Sequence, residues 1–447
     1  MSNARAGMAR LSVRAQASAA RAAARKTALL SNDVRNGVLL DVARRIEQNA
    51  ARILAANAED CKAAEELVRR GKMAEAAFAR LRVLEKTIGG MVQRLEEVSR
   101  LDDPIGIRLS TTKLDDGLTL YKESCPLGVV AVIFESRPDV VPQVAALAFK
   151  SGNTVLLKGG AEAAKTNEVL VDLWREALLR FPDVPAAAVT LLQSRADVME
   201  LLELKREVDL IVPRGSKEFV EYISANSRVP VLGHGEGICH VYVDRAADLS
   251  MANAIVVDAK TQYPAACNSV ETLLVHQDVA AEFLPKVAAS LTAKGVELRG
   301  CGRTRTILRE ANIKNATDED WATEYSDLIL AIRVVDSLDA ALEHIAEYGS
   351  LHTEAIVTKD AAAAERFLNE VDAAGVYHNV STRFADGYRY GLGSEVGISN
   401  SKLHARGPMG MEGLTTYKYK LVGDGHVVGM YERGEKILKP RKLTSES

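Results

Sequence analysis

The chain has 447 residues, 47% of them hydrophobic and 26% charged, with a formal net charge of −3. That length exceeds what one hydrophobic core serves, and the near-neutral balance removes any electrostatic reason to expect nucleic acid or an anionic membrane as partner. No apolar run is long enough to span a bilayer, and the scattered cysteines (Cys61, Cys125, Cys239, Cys267, Cys301) argue against a disulfide framework or a zinc site with paired ligands, leaving a reducing, cytoplasmic setting.

In chain order, the first 32 residues carry Arg5, Arg10, Arg14, Arg21, Arg25 and Lys26 with no acid before Asp33. Such a start has the composition of an organelle transit peptide. It also reads as an alanine-rich first helix, which the run into "NDVRNGVLLDVARRIEQ" favours, leaving about the first dozen residues dispensable. Residues 14 to 100 are expected to be helical, since Val38, Leu39, Val42 and Ile46, then Leu84, Ile88, Met91 and Leu95, recur at helical spacing. "IRLSTTKLDDGLTLYKESC" (107–125) alternates like an exposed hairpin. Strand "GVVAVIF" (128–134) then opens a regular alternation: helix "DVVPQVAALAFKSG", strand "TVLLKGG", helix "NEVLVDLWREALLRF", strand "AAVTLLQ", helix "RADVMELLELKRE", strand "VDLIVPRG", helix "SKEFVEYISANS", and strands "VPVLGHGEG" and "HVYVDR". Strands interleaved with helices of this length predict βαβ units in a doubly wound sheet. A second such series starts with "LSMANAIVVDAKTQ" and runs through "ETLLVH", "LILAIRVV", "EAIVTK" and "AGVYHNV", so two α/β units are expected to join near Asp244 to Leu249. The tail "LTTYKYKLVGDGHVVG" reads as a second hairpin around Gly-Asp-Gly; two distant hairpins suit a projecting arm that pairs with another subunit.

Among the cysteines, Cys125 and Cys239 sit at strand edges and read as core residues, while Cys61 and Cys301 lie in polar surroundings without activating neighbours. Cys267 differs. It follows a loop-forming Tyr-Pro, has Ala265 and Ala266 beside it, and precedes Asn268 and Ser269 in "TQYPAACNSVETLLVH". An attacking thiol needs access, and the oxyanion that develops needs donors, which the Cys267 N–H and the Asn268 amide could supply. A buried structural cysteine stays open on spacing alone.

"YPAACNSVETLLVH" resembles the active-site segment of the γ-glutamyl phosphate reductases (glutamate-5-semialdehyde dehydrogenases), a branch of the aldehyde dehydrogenase superfamily. "GVVAVIFESRPDVVPQVAALAFKSGN", "LLKGGAEAAKTN", "DLIVPRGS", "VYHNVSTRFADG", "GLGSEVGIS" and "KLHARGPMGMEGLTTYKY" are similar to that family's segments in the same order, from about Val13 to about Gly425. The resemblance implies an aldehyde dehydrogenase-like fold with an NADPH-binding domain (1–106 and 126–247), a catalytic domain (248–404) and an oligomerisation arm (107–125 and 405–430); 431–447 extends past the pattern. It implies reduction of L-glutamate 5-phosphate to L-glutamate 5-semialdehyde in proline biosynthesis, through a thioester on Cys267. No amino-acid kinase pattern accompanies it, so a separate glutamate 5-kinase would supply the acyl phosphate, and a homo-oligomer is expected.

Oxidising relatives carry a water-activating glutamate in a Glu-Leu-Gly-Gly segment. By eye that segment corresponds to "GHGEGICHVYVD", with the glutamate position at Gly233 and Glu236 three residues away. For the cofactor, the resemblance points to Lys158 and Gly159 in "LLKGG", to Gly215 and Ser216 in "PRGS" at a helix N-terminus suited to a pyrophosphate, and to Glu324 for the nicotinamide ribose. Relatives that prefer NAD often carry a glutamate three residues after the lysine; here that position is Ala161, which fits NADPH. A substrate with an α-carboxylate and a phosphate calls for arginines in bidentate contact, and the family blocks offer Ser136 and Arg137, Arg383, and His404, Arg406 and Gly407. The rivals are a hydrolytic aldehyde dehydrogenase, which would need a working base near Cys267, and a catalytically silent scaffold that keeps the fold.

Overall fold

The computed structural model describes residues 11–443 apart from 194, 216, 234, 235 and 310–312. Five helices come first: α1 (Val13–Thr27), α2 (Asn32–Gln48), α3 (Ala50–Arg69), α4 (Glu75–Leu81) and α5 (Glu85–Arg100). Ser12 and Ser31 cap α1 and α2 by accepting from Ala15 N and Val34 N, which sets both starts. Strands β1 (Arg108–Asp115) and β2 (Leu118–Pro126) follow as an antiparallel hairpin.

The first parallel sheet consists of β3 (Val129–Phe134), β4 (Thr154–Lys158), β5 (Val189–Leu191) and β6 (Leu210–Arg214), in the order β5-β4-β3-β6. Every residue of β3 and β4 is buried, as unbroken apolar runs covered on both faces require. The helices α6 (Val140–Lys150), α7 (Ala164–Leu178), α8 (Arg195–Leu202) and α9 (Lys217–Asn226) connect or follow these strands. One face packs on α2, α5, α6 and α7, the other on α1 and α8. At the centre of the larger core the Trp174 ring meets Phe149 edge-on, with centroids 6.1 Å apart. Among the described residues the buried Trp174 Nε1–H has no partner. Trp174→Ala is therefore expected to cost about 3–5 kcal/mol by cavity formation, and Trp174→Phe only about 1.5 kcal/mol or less because it also removes the orphaned donor. Urea unfolding midpoints of the two variants check the ranking, which reversed order would refute.

The second sheet is built from α10 (Leu249–Thr261) and strands β7 (Cys239–Val243), β8 (Val270–His276), β9 (Glu297–Gly300), β10 (Lys314–Asn315), β11 (Ile329–Val335), β12 (Thr353–Val357) and β13 (Gly375–His378). Its order is β10-β9-β11-β8-β7-β12-β13, all parallel. Three expectations are corrected here. β7 pairs with β8 and β12, so the chain has already crossed into the second sheet before Cys239 and not near Asp244 to Leu249. "VPVLGHGEG" contributes a single bridge, Val231 to Ile211, and is otherwise irregular among its described residues. The tail does not form a hairpin of its own. After β14 (Ile398–Ser399) and β15 (Gly407–Pro408) pair with each other, β16 (Thr415–Val422) adds to β2, residues Val428–Glu432 turn into a short helix, and β17 (Arg441–Leu443) returns to pair with β1. The arm is thus a four-stranded sheet, and residues 405–414 lie outside it.

Candidate functional site

Cys267 lies in the turn between α10 and β8. The Ala266 N–H donates to Tyr263 O at 3.2 Å and the Ser269 N–H to Ala266 O at 2.8 Å, curling the backbone tightly around the cysteine. Ser269 Oγ, bonded to Ala259 O at 3.2 Å, pins the start of β8 to the end of α10. The Cys239 thiol at the start of β7 donates to Cys267 O at 3.3 Å. A Cβ at Gly237 would collide with that same carbonyl, so only glycine lets the 237–239 segment lie under the loop. Below it, Lys260 Nζ and Glu271 Oε2 form a buried ion pair at 2.6 Å, tying α10 to β8. Glu271 Oε1 accepts from Ser326 N at 3.3 Å, which brings the Glu324 segment to the site.

The thiol keeps partial exposure although protein surrounds it closely, so it is reachable and poorly solvated at once. Burial pushes it up to about 12, with the Glu324 carboxylate adding to the rise, while Arg214 and Arg383 pull the other way. Its nearest basic group is His352, whose Nε2 stands 3.2 Å from Cys267 Sγ. The opposite ring nitrogen, Nδ1, is 2.9 Å from Thr353 Oγ1 and 3.7 Å from Cys239 Sγ. His352 is fully buried just before β12, and its carbonyl accepts from Gly375 N at 3.0 Å. With Nδ1 protonated toward Thr353, Nε2 presents its lone pair to the thiol.

Asn268, buried beside the cysteine, donates Nδ2 to Ala385 O at 2.7 Å. That bond uses one of its two amide hydrogens to fasten the cysteine loop onto the turn that carries Arg383 and leaves the other for the oxyanion expected there. The Cys267 N–H has no partner among the described residues. Glu324 lies under the cysteine loop, its Oε2 accepting from Gly237 N at 2.9 Å, and burial raises its carboxyl. Arg383 is buried, donates Nε to Gln262 Oε1 at 2.8 Å, and its charge reaches the thiol. Arg137 follows β3 and donates to Asp139 at 3.3 Å.

Other expected residues lie elsewhere. Ser136, in the left-handed region with φ 45°, gives both its N–H and its hydroxyl to Glu162 Oε1, at 2.7 and 2.8 Å. It therefore shares Glu162 with Lys158, on which that carboxylate's charge acts. His404 is exposed, and Arg406 pairs with Asp372 at 2.8 Å beside Lys402. Gly407 pairs with Ser399. No contact links His404, Arg406 or Gly407 to Cys267 among the described residues. Two residues that matter were absent from the expectations: His352, which is 85 positions from Cys267 and carries no local signal, and Arg214, which lies inside the quoted "DLIVPRGS".

A nucleotide site fits the C-terminal edge of the first sheet, where open parallel sheets take such ligands. Lys158 ends β4, bonded to Gly159 O; burial draws its ammonium below the usual range, and Glu162, Asp197 and Glu135 favour its charge. The buried Asn167 packs against Gly159, and its Oδ1 has no partner among the described residues. Gly215 is exposed ahead of α9, and Ser216 lies outside the described residues.

Against known proteins, the aldehyde dehydrogenase family model matches residues 4–298. A gamma-glutamyl phosphate reductase of Synechococcus sp. (strain JA-3-3Ab) is 54% identical over 417 residues, covering 93% of this chain and 91% of its own. One of Natronomonas pharaonis is 51% identical, covering 93% and 94%. The crystal structure of gamma-glutamyl phosphate reductase from Thermotoga maritima superposes with a TM-score of 0.89 at 39% identity, over 93% of this chain and 100% of that one.

Proposed function

The chain belongs to the gamma-glutamyl phosphate reductases of the aldehyde dehydrogenase family, and from that membership we propose that it reduces L-glutamate 5-phosphate to L-glutamate 5-semialdehyde with NADPH, through a thioester on Cys267. The observation that carries the reading is the 3.2 Å contact between Cys267 Sγ and His352 Nε2 in a pocket whose cations are arginines. His352 takes the thiol proton as sulfur attacks the acyl carbon, and the unpaired Cys267 N–H receives the oxyanion. Phosphate departs and the glutamyl group stays on sulfur, so the displacement is separated from the reduction. NADPH, held by the residues named below, would supply the hydride for reduction of the thioester. Sulfur is then the leaving group as the aldehyde departs, and a proton from water, passed through His352 Nε2, restores the thiol.

Lys158, Gly159, Gly215 and Ser216 would hold the nucleotide and Glu324 its nicotinamide ribose. Ala161 adds no carboxylate beside Lys158, and Glu162 Oε1 is taken up by the Ser136 N–H and hydroxyl, which suits a 2′-phosphate at the lysine. Arg137 and Arg383 are the substrate arginines. In the arm, Tyr417, Tyr419, Leu421 and Val422 of the edge strand β16 are largely exposed, as a surface that pairs with a second copy would be. Among the described residues no helix is long and apolar enough to cross a membrane. The reading places the reaction in the cytoplasm, with the substrate delivered by a separate glutamate 5-kinase.

The test is the reverse reaction: semialdehyde, inorganic phosphate and NADP⁺, followed by absorbance of the reduced cofactor. Turnover is expected only with phosphate. Oxidation to free glutamate without phosphate would instead identify a hydrolytic aldehyde dehydrogenase.

A further inference from the structure

Arg214 ends β6, with its Cα registered against Phe134 of β3, just ahead of Arg137. Its side chain is enclosed but not sealed, and it lies flat over Gly397, where a Cβ would collide with Nη1. Among the described residues it makes no hydrogen bond and no ion pair, whereas Arg137 has Asp139 and Arg383 has Gln262. An enclosed guanidinium gives up hydration, and five donors left without protein acceptors are a large cost unless an anion supplies them. The charges around it do not meet that need. Arg137 repels it, and the nearby Asp139 and Glu395 are engaged, Asp139 with Arg137 and Arg94, Glu395 Oε2 with Gly387 N at 2.9 Å. Arg214 and Arg137, at the neighbouring ends of β6 and β3 and each without a bidentate partner, suit a doubly charged anion.

The substrate has two anionic ends, and their distances from the attacked carbon differ. The phosphorus is two bonds from it and the α-carboxylate carbon four. The charges of both Arg214 and Arg383 reach the Cys267 thiol. Arg214 stands with Arg137 at the neighbouring ends of β6 and β3 and suits the dianionic end, whereas Arg383, held by Gln262, suits the singly charged carboxylate.

We propose that Arg214, with Arg137 beside it, binds the phosphoryl group of the acyl phosphate and stabilises it as it leaves, while Arg383 faces the α-carboxylate. This rests on the reductase reading above. As the C–S bond forms, the acyl C–O bond breaks and its electron pair stays on the phosphate oxygen. The thiol proton, carried by His352, ends on phosphate, which departs as the hydrogen phosphate dianion. The guanidinium matches the charge that grows on those oxygens, so its contribution rises toward the transition state.

The experiment measures KM separately for inorganic phosphate and for semialdehyde in the reverse reaction, in wild type, Arg214→Gln and Arg214→Lys. Arg214→Gln is expected to lower kcat/KM for phosphate by about 10²-fold, the loss of a bidentate charged contact, with the semialdehyde KM within about threefold of wild type. Arg214→Lys, which keeps the charge but not the fork, is expected to fall between, and serves alone if the glutamine variant fails to fold. An unchanged phosphate KM, or a rise confined to the semialdehyde KM, overturns the assignment. A wild type that turns over without phosphate refutes the reductase reading instead, so the two failures are distinguishable.

Discussion

Cys267→Ala is expected to reduce phosphate-dependent turnover by about 10⁴-fold or more, because the route through a sulfur-bound acyl group disappears with the sulfur. The substitution removes one atom from a partly exposed position and leaves the turn intact. The bonds that shape that turn run from Ala266 and Ser269 backbone and from the Asn268 and Ser269 side chains, none of them from the Cys267 side chain. Nucleotide binding, followed by quenching of protein fluorescence, should therefore survive. The positive identification is by mass. Wild type mixed with an acyl phosphate donor and no reduced cofactor should gain one glutamyl group on the peptide that contains Cys267, and the alanine variant none. A silent scaffold would show neither the label nor its loss. Turnover that persists in the variant would remove the thioester from the mechanism altogether.

Much of the fold was legible because its physics is local. "GVVAVIF" and "TVLLK" can only be strands covered on both faces, and β3 and β4 are that. The expectations that failed depended on partners distant in sequence. "LVGDGHVVG" has the turn chemistry of a hairpin, but β16 already has β2 along one edge, and the strand that completes the arm comes from Arg441–Leu443. "HVYVDR" is a strand as expected, yet nothing in its own residues says that it pairs with β8 and β12 and not with β6. The site divides in the same way. Cys267 stands out by its loop and small neighbours, whereas His352 sits in "SLHTEAIV", where a histidine before a strand has no local mark of function. Arg214 was hidden by its neighbour, since a Gly-Ser pair before a helix reads as phosphate chemistry before the arginine does. Arg406 shows the converse: a family-specific block drew attention to a side chain that the fold leaves at the surface with Asp372.

His352 has the second large effect, and its sign with pH identifies its role. With the Cys267 thiol pushed up to about 12 by burial and by Glu324, the free thiolate at pH 7.5 is only about 10⁻⁴ to 10⁻⁵ of the enzyme. Attack at neutral pH therefore needs an acceptor in place, and the imidazole at 3.2 Å is that group. His352→Gln is expected to lower kcat by about 10²–10⁴-fold at neutral pH, the range for losing a positioned base. The raised thiol ionises only as pH climbs toward its own value, so the variant should regain rate about tenfold per pH unit across the alkaline range. Wild type, with the imidazole in place as proton acceptor, should be flat there. Iodoacetamide labelling of the Cys267 peptide, quantified by mass spectrometry, reads the same ionisation without substrate. Glu324→Gln supplies the opposite sign: removing the carboxylate that helps raise the thiol should let it ionise at lower pH and speed labelling at a given pH, while His352→Gln slows it. Labelling and turnover profiles in His352→Gln that match wild type would show that the proton leaves sulfur by another path.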